Sequence, residues 1–321
     1  MHLLIENYGV KMEVEDDKFK RSSGEEVRYA SPVKLSSINF MKPCTVTTPA
    51  LLLAVAHQVP VLFYGKNGKV QAWVGSHQFG SIADIRINQA FFSRSHGAVN
   101  WAAELIGLKI DGQVANLQWL AHRIVAQRPQ LQKALDAIKK IRQNSTQLSI
   151  EDIRNLEAQA SRCYWEALAN TLEKYIIIPG RVKKGAADPF NICLNYLYGI
   201  LYGQIEASLL MAGLDPYMGI VHINRHTKPA LAFDHIEPFR PWADKVAIQL
   251  CMHHFADSGN FEKSETEGNI LSTAGKKILI NTWFQLMEQR SYLQGKRVKN
   301  KDHLHQLSSR LVAILKKFEL P

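Results

Sequence analysis

The chain has 321 residues, 46% of them hydrophobic, and a net charge of +10, so it is long enough for two domains with sizeable cores. The early apolar run Ala50 to Ala56 stops at His57-Gln58, far short of a membrane span. Acidic residues from Glu6 to Asp17 stand where a basic-then-apolar leader would be, so an intracellular protein is expected. Cys44, Cys163, Cys193 and Cys251 are widely spaced with no CxxC pair, which argues against a zinc ribbon, a redox dithiol and a disulfide scaffold.

The first 80 residues predict β structure with one helix. Leu3 to Ile5, Val33 to Phe40, Val59 to Tyr64 and Val70 to Val74 are β-rich, and Asn67-Gly68 suits a tight hairpin between the last two. Thr48-Pro49 opens the apolar helix ALLLAVA, which ends near His57. Beyond residue 80 the apolar period becomes helical, over Ile82 to Ile106 and Val114 to Gln127, with Pro129 closing the second run. A polar stretch, Lys139 to Gln147, leads to Ser149, an N-cap followed by Glu151 and Asp152, for a helix reaching about Lys174. Asp188-Pro189 opens a long helix that is apolar on most faces, expected to be central and buried. Pro241 starts another helix through Phe255, and two more flank a basic loop, Gly295 to Lys301. The expected class is α+β: a small β-rich domain at 1–80 and a larger all-α domain at 81–321.

Charge is uneven along this frame. Residues 1–80 hold 9 Lys/Arg against 7 Asp/Glu, whereas Arg290 to Lys317 holds eight basic residues opposed only by Asp302. Such an excess suits a polyanion, most simply nucleic acid.

Chemistry-bearing residues gather in GIVHINRHTKPALAFDHIEPFRP, residues 219–241. His222 and His226 would share a face on a helix, but β-branched neighbours and Lys228-Pro229 favour a strand carrying His222, a loop, and an extended ALAF. Asp234 and Glu237, at i and i+3, share one side of a helical turn that brings both carboxylates beside His222. One nitrogen with two or three carboxylate oxygens suits Mg²⁺ or Mn²⁺ better than a structural zinc. Glu157, among the small residues of LEAQASRCYWEAL, is the best third ligand, ahead of Glu166. Bland readings stay open at this level. His222 suits a loop, Asp234 a turn cap and Glu237 a solvated surface, while Tyr196, Tyr198 and Tyr202 suit packing, and RVKK (Arg181 to Lys184) and GKRVKNK suit exposed loops.

Together these segments resemble the CRISPR-associated protein one family, the spacer-acquisition integrases. LEAQASRCYW resembles the family's glutamate helix, DPFNICLNYLYGILYGQIEASLLMAGLDPYMGIVH its central helix and histidine segment, and LAFDHIEPFRPWAD its carboxylate motif. YASPVKLSSINF, TVTTPALLLAVAHQVPVLFYGKNGKV and RINQ resemble its β domain and the connection beyond. The resemblance implies Mg²⁺ or Mn²⁺ held by Glu157, His222 and Glu237, with Asp234 beside them in the catalytic set. The family often has aspartate where Glu237 stands. Arg86 and Gln89 match its RxxQ segment.

The implied activity joins the 3′-hydroxyl of a captured double-stranded DNA fragment to a phosphodiester of the CRISPR repeat by transesterification. Arg86, Lys183, Lys184, Lys296, Arg297, Lys299 and Lys301 are the basic residues expected to hold DNA. The implied assembly is a homodimer formed through the β domain, with CRISPR-associated protein two as a bridging dimer, in the prokaryotic cytoplasm at the nucleoid. A stand-alone metal-dependent nuclease and a DNA-binding scaffold with an inactive site are the competing readings.

Overall fold

The computed structural model describes the chain except residues 1, 36, 66–69, 76–81, 144–148, 184, 223–227, 258, 265–267 and 320–321. Its N-terminal part contains β1 (His2–Ile5), β2 (Lys11–Glu15), β3 (Lys18–Ser23), β4 (Glu26–Ala30), β5 (Ser37–Phe40), β6 (Thr45–Val46), α1 (Thr48–Ala56), β7 (Val61–Tyr64) and β8 (Val70–Val74). One sheet has the order β1-β5-β7-β8, parallel but for the antiparallel β7–β8 pair, and the other has the order β4-β3-β2-β6. Ile5, Met12, Phe19, Ile38, Phe40, Ala54 and Val61 form their core.

The β2-β3-β4 meander has no counterpart among the expected strands. Its runs KMEVE, KFKRSS and EVRYA carry a charged outer face, and only Met12 and Phe19 are fully buried. A signal is nevertheless present. Asp16 and Asp17, with φ of 50° and 54°, form the two-residue left-handed turn that joins Glu15 to Lys18. Val33 to Phe40 is strand only from Ser37, after a 3₁₀ turn at Pro32–Lys34. Asn67-Gly68 and the expected boundary at residue 80 lie outside the described residues.

The remainder is largely helical: α2 (Ile82–Phe92), α3 (His96–Arg123), α4 (Arg128–Gln143), α5 (Ile150–Leu172), α6 (Pro189–Met211), α7 (Ala230–His235), α8 (Arg240–Met252), α9 (Thr273–Glu288) and α10 (Asn300–Leu315). Two hairpins that sequence did not signal are added, β9 (Phe261–Ser264) with β10 (Gly268–Leu271), and β11 (Arg290–Leu293) with β12 (Lys296–Lys299). The second lies between α9 and α10, so the expected basic loop is a hairpin running into a helix. Pro129 does not close a helix. It lies in the first turn of α4, where its missing N–H costs nothing.

Local sequence chemistry sets the two helices that matter most for the cleft. Ser149 caps α5 with a capping box: its Oγ accepts from Asp152 N at 3.2 Å while its own N–H donates to Asp152 Oδ2 at 2.9 Å. Asp188 caps α6 by accepting from Asn191 N at 2.8 Å, and α6 is buried on most faces, as its composition predicts. Helices α3 and α5 run parallel. Lys109–Glu157, Gln113–Ser161 and Asn116–Tyr164 all pair at the same sequence separation of 48.

The start of α8 lies against α3 at Gly112. A Cβ there would fall 2.7 Å from Pro241 Cγ, and Asn116 Nδ2 donates to Pro241 O at 2.7 Å. Only a residue without a side chain admits this approach, which sets Glu237 opposite Lys109. Gly112→Val is therefore expected to destabilise the fold by about 1–3 kcal/mol, the usual range for overpacking. A lowered urea midpoint checks this; an unchanged midpoint would mean that the close approach is not constrained.

Candidate active site

Helices α3, α5, α6 and α8, with Val221, His222, Lys228, Phe233 and Glu237, line an open cleft of about 750 Å³. Lys109 occupies its floor. The Lys109 ammonium contacts Glu157 Oε1 and lies 2.7 Å from Glu237 Oε2, itself sealed from solvent. Ser161 Oγ donates to Glu157 Oε1 at 2.8 Å, and Arg240 Nε donates to Glu237 Oε1 at 2.8 Å. Burial alone would raise the Glu237 carboxyl, but Arg240 and Lys109 overcome it and hold it at about 2. Burial likewise opposes the Lys109 charge, yet Glu237 and Glu157 keep its pKa above the ordinary lysine value.

His222 is presented differently. Val221 and His222 lie in a bend rather than in the expected strand, and ALAF belongs to α7 rather than to an extended run. The helix is what turns Asp234 back onto the bend. Its Oδ2 accepts from Ile220 N at 2.6 Å and Val221 N at 3.0 Å, and its Oδ1 accepts from His222 N at 3.0 Å. Asp234 Oδ1 also lies 2.7 Å from His222 Nδ1, and a carboxylate can only accept, so Nδ1 carries a proton, and in the neutral imidazole Nε2 keeps the lone pair. Arg154 secures the same bend by donating from Nε to Val221 O at 3.0 Å. The Asp234 side chain is fully buried, whereas that of His222 is 44% exposed toward the cleft. His235 packs on Trp101 and is held at about 4 by burial, so it stays neutral at physiological pH, and His226 lies outside the described residues.

The tyrosines expected to pack do more than fill space. The Arg240 guanidinium lies over Tyr198 at 4.6 Å and Tyr202 at 5.5 Å, and its Nη2 donates to the Tyr202 hydroxyl at 2.6 Å. Tyr198 in turn donates to Asp244 Oδ1 at 2.7 Å, where burial pushes the carboxyl up to about 6.

Of the other basic residues named from sequence, Lys183 lines the cleft and Lys184 lies outside the described residues. Arg86 is exposed on α2 and does not line the cleft. Gln89 is buried and ties α2 to the loop after α6, donating to Asp215 O at 2.8 Å and accepting from Asp215 N at 3.0 Å. Lys296 and Arg297 lie on β12, away from the cleft lining, and Lys299 and Lys301 both pair with Glu288, at 2.7 and 2.6 Å. Sequence reasoning missed Lys109, Arg154 and Arg240. Lys109 had a signal: with Gln113 and Asn116 it continues the buried stripe of α3 that runs through Trp101, Ala102 and Leu105, where an ordinary amphipathic helix keeps apolar residues.

Among the described residues no three His, Cys, Asp or Glu side chains stand close enough to share a metal ion. The donor chemistry nonetheless fits one. Two carboxylates face a single cation position, now filled by the Lys109 ammonium, and an imidazole nearby has its second nitrogen fixed by a buried carboxylate, the usual outer support of a ligating histidine.

A β-rich N-terminal part joined to a largely helical body is the architecture shared with solved Cas1 structures. A Cas1 protein from Thermotoga maritima superposes over 100% of this chain and 98% of its own, with a TM-score of 0.79 at 14% identity. A casposase bound to integration product does so with a TM-score of 0.77 at 22% identity, covering 99% of this chain and 92% of its own. A chain of a partial Cas6-RT-Cas1–Cas2 complex gives 0.71 at 22%, covering 99% of this chain and 96% of its own. The model of the CRISPR associated protein Cas1 family matches residues 3–285, and the chain belongs to that family. CRISPR-associated endonuclease Cas1 2 of Saccharolobus solfataricus is 29% identical over 259 residues, 79% of this chain and 76% of that protein. Among the described residues no helix is long and apolar enough to cross a membrane.

The depressed Glu237 carboxyl ties stability to acid. The Glu237 contribution is complete above the unfolded value near 4.5 and is lost as pH falls through about 2. Arg240→Gln removes one compensating charge, so the acid transition should move to higher pH and stability at pH 7 should fall by about 3–5 kcal/mol, as when one partner of a buried pair is removed. Urea unfolding at pH 7, 4 and 3 reads both effects. Identical midpoints for variant and wild type at every pH would contradict the ion-pair assignment.

Proposed function

We propose that this protein is a divalent-metal-dependent DNA integrase and endonuclease of CRISPR adaptation. In this reading it joins the 3′-hydroxyl ends of captured double-stranded DNA to the CRISPR repeat. The observation that carries the reading is the meeting of Glu157 and Glu237 on one cation position, in a cation-lined cleft that also holds the free Nε2 of His222. Family membership and the resemblance in fold to a casposase bound to integration product support it.

Glu157, His222 and Glu237 would hold Mg²⁺ or Mn²⁺, which when bound supplies Lewis acidity toward the target phosphate and the attacking hydroxyl. The chain's own residues do the rest. Asp234 is a positioning residue: it fixes the bend and the tautomer of His222 and leaves Nε2 facing the cleft. Lys183 and Lys228 line the cleft with no carboxylate partner among the described residues, and in this reading they bind backbone phosphates. In the transesterification the 3′ oxygen forms a bond to phosphorus as the repeat's own 3′ oxygen leaves. One phosphodiester replaces another, and the hydroxyl proton ends on the leaving oxygen. No covalent protein–DNA intermediate is needed.

The same reading assigns residues 1–80 to dimerisation and 81–321 to catalysis and DNA binding, in a prokaryotic cytoplasm beside the nucleoid. The separate N-terminal core supports that assignment, as do exposed Val27, Tyr29 and Val33 on and beside the edge strand β4. A bridging dimer of CRISPR-associated protein two is the proposed partner, consistent with the fold shared with a Cas1–Cas2 complex.

Strand transfer of a labelled duplex into a supercoiled plasmid carrying a repeat tests the chemistry. Joining is expected with Mg²⁺ or Mn²⁺ and not with EDTA, and Glu157→Gln, His222→Ala and Glu237→Gln should each reduce it at least about a hundredfold while DNA binding survives. Cleavage without joining would replace the integrase by a nuclease. Full activity in all three variants would remove the site altogether.

Lys109 gives a second test on this reading. Its ammonium holds the position that a divalent ion would need, so Lys109→Met should bind Mn²⁺ more tightly than wild type in calorimetry. Equal or weaker binding would mean that the lysine and the ion do not compete.

A further inference from the structure

Hairpin β11–β12 divides the C-terminal basic cluster into two sets of residues with different work. Lys299 and Lys301 share the carboxylate of Glu288, at 2.7 and 2.6 Å, and so brace the hairpin against the end of α9. The tip is tied elsewhere: Gln294 Nε2 donates to Glu104 Oε1 at 2.9 Å, and Arg310 donates to both oxygens of that carboxylate, to Oε1 at 2.7 Å and Oε2 at 3.1 Å. Gln294 and Gly295, with φ of 51° and 77°, make a two-residue turn that leaves the strands no slack. Leu293 is partly buried and packs against the main core. The hairpin is therefore a stiff ribbon with one face docked.

Its other face is turned to solvent. Tyr292 is 72% exposed and lies opposite Arg297, and two residues along on the same side Arg290 lies opposite Lys299, whose charge Glu288 takes. Neither arginine has a carboxylate partner among the described residues, because Glu288 and Glu104, the acids that hold the hairpin, are already engaged. The Tyr292 ring stacks on no other ring or cation there. An exposed aromatic face between two unpaired guanidiniums, on a backbone that cannot collapse onto it, matches the chemistry of an unpaired nucleic-acid strand: a base face for the ring and phosphates for the cations. A duplex offers no base face along its length, and an acidic protein surface would not need the ring.

We propose that the outer face of β11–β12 is a binding site for single-stranded DNA, with Tyr292 as the stacking platform and Arg290 and Arg297 as phosphate contacts. The site is distinct from the cleft, whose lining includes none of Arg290, Tyr292 and Arg297. It rests on the reading of the protein as a DNA enzyme, for which an unpaired strand leaving the cleft would be the ligand.

Fluorescence anisotropy of the full chain with labelled oligo-dT and with a blunt duplex, over a range of salt concentrations, tests it. Tyr292→Ala should weaken oligo-dT binding about tenfold, the effect of losing one base–aromatic stack, and Tyr292→Phe should restore it. Arg290→Gln with Arg297→Gln should lower the oligo-dT salt slope by about 1.4, two phosphate contacts' worth for single strands. All three positions lie outside the cleft lining, so duplex binding should change much less. Oligo-dT affinity and slope unchanged in every variant, with wild type binding DNA normally, would overturn the hairpin site and leave the enzyme reading intact. Equal losses for duplex and oligo-dT would overturn the single-strand assignment. Loss only of a partner protein in a pull-down would make the face a protein interface. A wild type that binds neither DNA would overturn the underlying reading as well.

Discussion

Two carboxylates cannot share a desolvated cleft floor without a cation between them, and the position of that cation governs how the helical body is put together. Lys109 reaches Glu157 across the α3–α5 interface and Glu237 from the turn before α8. A buried carboxylate left alone would cost several kcal/mol or lose its charge. The register between α3 and α5 therefore follows from electrostatics as much as from packing: the constant separation of 48 across three polar pairs admits no one-turn slip that keeps any of them. Gly112 brings α8 in close enough for Glu237 to complete the group.

The histidine side of the cleft is held on a different principle. Asp234 meets three backbone N–H groups and one imidazole N–H, so its charge is satisfied by dipoles and needs no cation. Such a buried carboxylate does not swing. Glu157, by contrast, is partly exposed, with a side chain 29% accessible, and Lys109 is a long chain that can be displaced. One wall of the cleft is rigid and presents Nε2, while the floor holds charges that can exchange partners. That division suits a site that must exist both without and with a divalent ion.

The sequence showed its long-range plan better than its local geometry. Ser149 and Asp188 announced α5 and α6 because N-caps are local and their hydrogen bonds form within three residues. Glu157, His222, Asp234 and Glu237 could be named because charged groups are rare beside small or apolar neighbours. The bend at Val221-His222 was not legible. Its β-branched residues favour a strand, and only the tertiary hydrogen bonds from Asp234 and Arg154 override that preference. ALAF was read as extended because Lys228-Pro229 looks like a break, when a proline at that point also opens a helix. Lys109 escaped notice although it lay in a buried stripe, since a lysine at helical spacing is ordinarily a solvated one.

The same difference between counting charges and placing them decides what the net +10 means. Three of the eight basic residues that crowd the C-terminal sequence are struts: Lys299, Lys301 and Arg310 pair with Glu288 and Glu104, which offset most of their charge. In the cleft, Lys109 and Arg240 are consumed by Glu157 and Glu237. What a polyanion meets is the remainder, Lys183 and Lys228 at the cleft and the arginines beside Tyr292 on the hairpin. None of these has a carboxylate partner among the described residues. The acidic residues thus shape the basic surface, because a carboxylate that holds two cations inward leaves the third one free to face the solvent.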